Sequence, residues 1–253
     1  MKKAYEENQN SPVMVDIWGD YIDWKKRRKG ENRFLVRTLE KYKCKKILDA
    51  ALGDGCDSIH LLKQGFDVTS NEVDQLFLER ALINAQKAGV ELKITNFDWR
   101  DLDQKLERES FDAVLLQGNS LTLLFNQIDQ LRAVSAFRNL LKPGGILLID
   151  ERNYRYMLLK REEILKGNFH YSRKFVYCGE KVTAKPIEIK PTKIVLKIEH
   201  QNGKAVFLTV YPFKKGELRS ILRKAGFVKI KTFSDYKAGY NSKADFHQYL
   251  IKK

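Results

Sequence analysis

The chain has 253 residues, of which 43% are hydrophobic and 11% aromatic, with only 5 prolines and 15 glycines. This composition excludes a disordered chain and suits one folded domain, because the apolar area is large enough to offset the lost chain entropy. The net charge of +15 falls entirely on residues 151–253, which hold 24 basic and 9 acidic residues, whereas residues 1–150 hold 23 of each.

From Lys45 onward, short apolar segments alternate with helical ones, a pattern typical of βαβ units around a parallel sheet. The predicted strands are 45–52, 66–72, 90–97, 111–120 and 146–152, and the predicted helices are 56–63, 74–88 and 127–141. The last of these helices ends at KPGG, because glycine and proline stop a helix there.

After Tyr154 a short helix containing LLKREEIL precedes alternating segments, and Asn202-Gly203 between two of them predicts a hairpin. These segments predict an antiparallel β lid or insertion over residues 170–212. A helix at 215–227 and strands at 228–234 and 245–253 follow. We therefore expect one α/β domain over residues 1–253, with a doubly wound, seven-stranded, mostly parallel sheet and a small antiparallel insertion after strand five.

A candidate cofactor turn follows the first strand at Gly53-Asp54-Gly55, where a helix begins at once. Backbone N–H groups without neighbouring Cβ atoms allow a ligand to approach closely there. Glu72 ends the second strand 23 residues after Asp49, where a carboxylate can accept hydrogen bonds from two ribose hydroxyls. Either feature alone is a weak signal, but together they predict a nucleoside site. Ser58 breaks the GxGxxG fingerprint and no GxxxxGK[ST] is present, which disfavours dehydrogenases and P-loop enzymes.

Several motifs resemble known enzymes. ILDAALGDG, Glu72 and the LKPGG turn resemble the class I S-adenosylmethionine-dependent methyltransferases. Within that group, WGDYIDWKKR, CDSIHLLKQGFDVTS, QGNSLTLLF, LLIDERNY, GNFHYSRK and VYP at 210–212 are similar to the glycine and sarcosine N-methyltransferases. The resemblance runs from Trp18 to the C-terminus, and GNS followed by ERNY is its most specific part. It implies an S-adenosylmethionine-dependent N-methyltransferase, with S-adenosylhomocysteine as product, acting on a small amine such as glycine, sarcosine or another amino acid.

The resemblance also implies roles for individual residues. A helical N-terminal segment, 1–44, would close over the cofactor, with Arg28 facing the methionine carboxylate. The implied cofactor contacts are Trp18, Tyr21, Arg28, Ala51, Gly53, Gly55, Glu72, Asp98, Trp99 and Gln117. The implied substrate contacts are Asn119, Arg152, Tyr171 and Tyr211, and the implied catalytic residues are Asn119, Arg152 and Tyr21. Arg152 would bind a substrate carboxylate through its planar, bidentate guanidinium.

The chain departs from the family pattern at four places. Gly53-Asp54-Gly55 replaces the usual GTG, and Asp98 replaces the asparagine before the adenine tryptophan. Leu123 replaces a histidine, and the tyrosine-rich C-terminal stretch is only partly recognisable around Tyr236 and Tyr240. These departures bear on the amino-acid substrate more than on the reaction.

Two other functions stay open at this level. The basic part of the chain favours an RNA methyltransferase, although no DPPY-like or cysteine-nucleophile motif accompanies it. The second open function is a cofactor-binding protein without catalysis, since Leu123 stands where the family has a histidine and removes a polar contact at the cofactor. Lys190, Lys193 and Lys197 alternate with apolar strand residues rather than standing among stacking aromatics, so we expect no specific nucleic-acid binding.

The remaining expectations concern metals, membranes and location. Cys44, Cys56 and Cys178 form no CxxC pair, and the four histidines show no ligand spacing, so we expect free thiols and no metal. No stretch reaches the ~18 apolar residues of a membrane span, and the first residues lack the apolar region of a signal peptide. We expect a cytoplasmic protein without a membrane partner, and either a monomer or a homo-oligomer.

Overall fold

An eight-stranded sheet runs through the computed structural model, which describes residues 11–167 and 178–253. Its strands are β1 Lys46–Asp49, β2 Asp67–Asn71, β3 Lys93–Thr95, β4 Phe111–Leu116, β5 Leu141–Arg152, β9 Lys229–Ser234, β10 Lys237–Ala238 and β11 Phe246–Lys252. The order across the sheet is β10-β9-β11-β5-β4-β1-β2-β3. Strands β1 to β5 pair in parallel, and β11 is antiparallel to both of its neighbours. Parallel strands need crossover connections, which places helices on both faces.

The helices are α1 Pro12–Tyr21, α2 Trp24–Glu31, α3 Phe34–Lys41, α4 Cys56–Lys63, α5 Gln75–Ala88, α6 Leu102–Lys105, α7 Gln127–Leu140, α8 Tyr154–Leu159, α9 Arg161–Leu165 and α10 Glu217–Lys224. Helices α7 and α10 cover one face of the sheet, where Phe137 and Leu222 are fully buried. Helix α3 covers the other face, where Leu39 packs against Ile47 and Leu148. The central strands are therefore buried on both sides, which explains their continuous apolar runs.

A second, three-stranded antiparallel sheet consists of β6 Val182–Lys190, β7 Lys193–His200 and β8 Ala205–Val210, in that order. The chain turns between β7 and β8 at the predicted hairpin, where Gly203 has a φ of +85°. One face of this sheet packs on α1, because Val182 and Ile198 share an apolar cluster with Met14 and Ile17. The N-terminal helix and the second sheet thus form one layer above the carboxyl ends of the parallel strands.

The central sheet differs from the prediction in its number of strands, which is eight rather than seven. Asp235 and Tyr236 have φ values of +50° and +62°, and they reverse the chain so that Lys237 pairs with Ser234. Residues other than glycine seldom adopt this conformation, so the turn carries no strong sequence signal. β5 also begins at Leu141, before the predicted 146–152, because Leu141 already pairs with Phe111.

No helix within residues 11–167 or 178–253 is long and apolar enough to cross a lipid bilayer.

Candidate active site

The turn after β1 forms the floor of a cavity at the carboxyl edge of the sheet. The backbone N–H of Leu52 donates to the Asn71 carbonyl at 3.0 Å, and Gly53 has a φ of +54°. Beneath the turn, the buried Asp49 carboxylate accepts hydrogen bonds from Ser58 Oγ at 2.6 Å and Ala51 N at 3.3 Å. Burial raises the pKa of Asp49 to about 7. These contacts fix the turn in the shape that a ligand would meet.

This first cavity has a volume of about 1010 Å³, including the part open to solvent. Six of the predicted cofactor residues line it, namely Trp18, Ala51, Gly53, Glu72, Trp99 and Gln117. Phe77 of α5 lies between them and holds Trp18 edge-on, with 5.2 Å between the ring centroids. The cavity therefore combines aromatic walls, a glycine turn and the Glu72 carboxylate, a suitable lining for a nucleoside.

Glu72 is held by two backbone N–H groups. One carboxylate oxygen accepts from Gly53 N at 2.9 Å and the other from Asp74 N at 2.9 Å. Burial raises the pKa of Glu72, and these two hydrogen bonds oppose the shift. Because each carboxylate oxygen can accept more than one hydrogen bond, both oxygens retain acceptor capacity on the cavity side.

Trp99 and Asp98 have different surroundings although they are neighbours in the chain. The indole Nε1 of Trp99 donates to the Ala50 carbonyl at 2.6 Å, and its ring packs edge-on against Phe137. Asp98 instead accepts two hydrogen bonds from the Arg100 guanidinium, at 2.8 and 2.6 Å, and lies outside the cavity lining. The structure thus places the tryptophan in the wall of the cavity and the aspartate at the surface.

Of the two neighbouring arginines in α2, Arg27 reaches the cavities and the predicted Arg28 does not. Arg27 lines both this cavity and the next, is 8% exposed, and pairs with Asp57 at 3.1 Å. Burial acts to lower the pKa of Arg27, but the charge of Asp57 raises it overall, so the guanidinium stays ionised. Arg28 is turned to Asp57, Glu31 and the Cys56 carbonyl, and lines neither cavity.

A second cavity, of about 960 Å³, adjoins the first. The two share the lining residues Trp18, Arg27, Gly118, Asn119 and Leu208. Helix α1 and strands β6 to β8 (Pro12–Tyr21 and Val182–Val210) form a roof over both, since α1 supplies Trp18 and β8 supplies Leu208. A ligand in one cavity can therefore meet a ligand in the other at Gly118 and Asn119.

Asn119 is the joint between the two cavities. Its backbone N–H donates to the buried Asp150 carboxylate at 2.6 Å, and its φ is +65°. Its side-chain Nδ2 donates to the Tyr154 hydroxyl at 2.6 Å, and its Oδ1 accepts from the Arg152 backbone N–H at 3.0 Å. The amide group thus ties the end of β4 to the end of β5, and any ligand contact would add to this structural role.

Arg152 and Tyr21 both line the second cavity. The Arg152 guanidinium lies 5.4 Å from the centroid of the Phe246 ring. Burial raises the pKa of the Tyr21 phenol, and the nearby charge of Arg152 opposes that shift. A cation and a neutral hydroxyl therefore stand together in a mostly apolar cavity, which suits a small ligand carrying a carboxylate.

Two other predicted site residues, Gly55 and Tyr211, lie outside the lining of both cavities. Gly55 has a φ of +84°, and a Cβ there would meet the Ala81 Cβ at 3.1 Å, so this glycine allows α4 and α5 to pack closely. The Tyr211 hydroxyl donates to Glu217 at 2.6 Å, and the tyrosine lines neither cavity. Tyr171 falls outside the described residues.

The cavities also contain residues that the sequence motifs did not single out. Asp150, Tyr154 and Phe246 line the second cavity, and Trp24, Asp57 and Phe77 line the first. Tyr236, which the sequence placed in the tyrosine-rich C-terminal stretch, also lines the second cavity. Asp150 directly precedes the ERNY motif and Tyr154 is its last residue, so their nearness to Arg152 was a usable signal. A second usable signal was the position of Arg27, which is the chain neighbour of the predicted Arg28.

Comparison with known proteins places the chain in a family. The Methyltransferase domain family matches residues 47–145. The glycine/sarcosine N-methyltransferase of Halorhodospira halochloris is 36% identical over 240 residues, which cover 94% of this chain and 87% of that protein. The chain belongs to the glycine/sarcosine N-methyltransferase family. The enzyme of the same name from Aphanothece halophytica is 32% identical over 248 residues, which cover 98% of this chain and 91% of that protein.

The family membership confirms the predicted enzyme class and cofactor. The chain is an S-adenosylmethionine-dependent methyltransferase. A solved S-adenosylmethionine-dependent methyltransferase from Clostridium acetobutylicum superposes with a TM-score of 0.71 at 16% identity, over 95% of this chain and 96% of that one. It shares the Rossmann-like fold. Within the described ranges, no three His, Cys, Asp or Glu side chains are grouped closely enough to hold a metal ion.

Proposed function

We propose that this methyltransferase transfers a methyl group to the amine of glycine or sarcosine. The observation that carries the proposal is the junction of the two cavities at Gly118 and Asn119, with Arg152 in the second cavity. Relatives at 32–36% identity over nearly the whole chain are named glycine/sarcosine N-methyltransferases, which supports the same acceptors here.

The first cavity fits S-adenosylmethionine. Glu72 would accept hydrogen bonds from the ribose hydroxyls, Trp99 would flank the adenine, and the turn at Ala51 and Gly53 would lie against the nucleoside. Arg27 would pair with the methionine carboxylate, because it is the buried guanidinium shared by both cavities. The helical segment over 11–44 would act as the cofactor-closing segment, and the second sheet as the lid.

The second cavity would hold the acceptor. The bound cofactor supplies an electrophilic methyl group, so the protein's task is to orient the amine towards it and exclude water. Arg152 would grip the acceptor carboxylate with two parallel hydrogen bonds, which fixes the direction of the nitrogen. Tyr21, whose raised pKa keeps the phenol protonated, would offer a hydrogen-bond partner to the incoming amine. Asn119 would act by positioning, since its amide already holds Tyr154 and the backbone of Arg152.

The cavity linings favour a small acceptor over RNA. The described residues around the two cavities include Arg27 and Arg152, but none of them is a lysine. The lysines among the described residues therefore lie outside the lining of the reaction site. A protein that fed RNA into this cavity would need cations along the entrance.

A methyl-transfer assay with labelled cofactor tests the proposal. We expect label in glycine and sarcosine, and little in methylamine, which lacks a carboxylate, or in bulk RNA. The variant Arg152→Leu should lose most of its activity and keep cofactor affinity, while Arg152→Lys should recover little, since a point charge lacks the planar fork. Unchanged kcat/KM in Arg152→Leu would show that Arg152 does not bind the acceptor carboxylate. Loss of cofactor binding in the same variant would show a structural role.

A further inference from the structure

A third cavity, of about 620 Å³, lies on the opposite face of β5 from the second cavity. Asp150 and Arg152 line the second cavity, and Glu151 between them lines the third, because successive strand residues point to opposite faces. Tyr249 of β11 and its register partner Thr232 of β9 complete the floor. This cavity shares no described lining residue with the two cavities of the active site.

The third cavity is strongly basic. Four cations line it, Arg155 from α8, Lys214 and Lys215 from the loop before α10, and Arg219 from α10. Glu151 is its one carboxylate among the described lining residues, and Glu151 is already bonded to the Tyr249 hydroxyl at 2.8 Å and paired with Arg155 at 3.4 Å. Three positive charges thus face the cavity without a matching carboxylate in its lining.

Two of these cations have no carboxylate partner in the part of the chain that the structure describes. Lys214 and Lys215 are exposed, and neither ammonium group lies within 4.0 Å of a carboxylate there. Arg219 uses one Nη for the Thr232 hydroxyl, which aims its guanidinium along the cavity and leaves other donors available. Like charges brought together in a concave site repel one another, so the arrangement is stabilised when an anion enters.

An unsatisfied polar atom is buried next to this cavity, behind its lining residue Tyr240. His247 is opposite Glu151 in the β11–β5 register and is completely buried, with Nε2 lacking a hydrogen-bond partner among the described residues. Tyr240, which lines the cavity, stacks on this imidazole with 5.1 Å between the centroids. Arg155 lies 5.4 Å from the Tyr240 ring, so the same aromatic group joins the buried histidine to the basic wall.

We propose that this third cavity binds a small anion carrying two or more negative charges, of the phosphate or polycarboxylate class. Arg155 and Arg219 offer planar donors that match oxyanion geometry, and Lys214 and Lys215 add point charges. The concave shape and small volume suit a metabolite-sized ligand. The site is separate from methyl transfer, and its ligand would contact the strand that carries Arg152.

Isothermal titration calorimetry with pyrophosphate tests this site, in the presence of saturating S-adenosylhomocysteine so that the cofactor cavity is blocked. Citrate serves as a second ligand, because it distinguishes a polycarboxylate from a phosphate ligand. The test variant is Lys215→Gln/Arg219→Gln. The matched control is Arg223→Gln/Lys224→Gln, which removes the same charge from the exposed last turn of α10.

We expect saturable binding of at least one of the two anions to the unaltered protein. The affinity should fall by at least about tenfold in Lys215→Gln/Arg219→Gln, since each charged hydrogen bond contributes roughly tenfold or more, and should change less than about twofold in the control. Methyl-transfer activity in the absence of anion should be retained by both variants. Equal weakening of anion binding in the two variants would show that only the net charge matters, which would overturn the proposal. Absence of saturable binding of both anions up to ~1 mM would overturn it as well.

Discussion

Replacing Arg27 by glutamine should weaken cofactor binding far more than the same replacement at Arg28. Arg27 is 8% exposed and lines the first cavity, whereas Arg28 lies outside that lining. A charge-assisted hydrogen bond contributes about 1.5–3 kcal/mol, and 1.4 kcal/mol corresponds to tenfold in affinity. Loss of one such bond to the methionine carboxylate should raise the cofactor Kd about 10- to 150-fold.

The two arginines form a matched pair because both bind Asp57. Arg27 Nη2 contacts one carboxylate oxygen at 3.1 Å, and Arg28 Nη2 contacts the other at 2.5 Å. Either variant therefore leaves Asp57 with one cation, and both should lose stability on the order of 1–3 kcal/mol, less than a buried carboxylate left without any partner. Cofactor binding by calorimetry and unfolding by denaturant, measured on both variants, separate the two effects.

The reasoning would be refuted by the reverse order of affinities. If Arg28→Gln weakened cofactor binding more than Arg27→Gln at comparable stability, the side chains would exchange positions when the cofactor binds. The family resemblance, which assigns the carboxylate to Arg28, would then describe the loaded enzyme better than this structure does.

Glu72→Ala should raise the cofactor Kd by about tenfold or more, since the carboxylate accepts charged hydrogen bonds. In the unaltered protein, burial raises the Glu72 pKa above the ordinary 4.5, so affinity should begin to fall on acidification at a pH higher than an exposed glutamate would give, and Glu72→Gln should remove that dependence. Asp49 has its pKa raised from 3.8 to about 7, so its contribution to stability is full below pH 3.8 and lost as the pH rises to about 7, on the order of 4 kcal/mol. Asp49→Asn should therefore flatten the decline of unfolding free energy across that range, and an unchanged profile would remove Asp49 as its source. Tyr211→Phe should lose about 1 kcal/mol of stability with the Glu217 hydrogen bond and leave the acceptor KM unchanged, and a raised KM would return Tyr211 to the acceptor site.

Much of the fold was predictable from local patterns. The helix at 56–63 and the helix beginning after Asp74 end within one residue of their predicted limits, because glycine turns and an aspartate cap mark them. The eighth strand was not predictable, since its turn depends on positive φ at Asp235 and Tyr236. Tertiary contacts impose this positive-φ conformation, and the residue types do not predict it.

The candidate site was predictable to the extent that strand ends fix it. Gly53, Glu72 and Asn119 each follow a parallel strand, and such ends meet at one edge of the sheet, so the motifs were enough to bring them together. The choice between Arg27 and Arg28 was not predictable, because adjacent helical residues differ by about 100° in direction and only the packing against Asp57 decides. The hydrogen bond from Tyr211 to Glu217 was not predictable either, because it depends on where α10 packs against the sheet.

The roof over the two cavities responds to salt in two opposing ways. Surface ion pairs hold its outer edge, with Asp16 bound to Lys204 at 2.9 Å and Asp20 bound to Lys181 at 3.1 Å. Pairs of this kind contribute at most about 1 kcal/mol each and are screened as ionic strength rises. The apolar cluster around Met14 holds the inner edge, and burial of that kind is strengthened by salting-out ions such as sulfate. We therefore expect the proposed opening of the roof, and with it the exchange of product for fresh cofactor, to change little as the concentration of a salting-out salt rises.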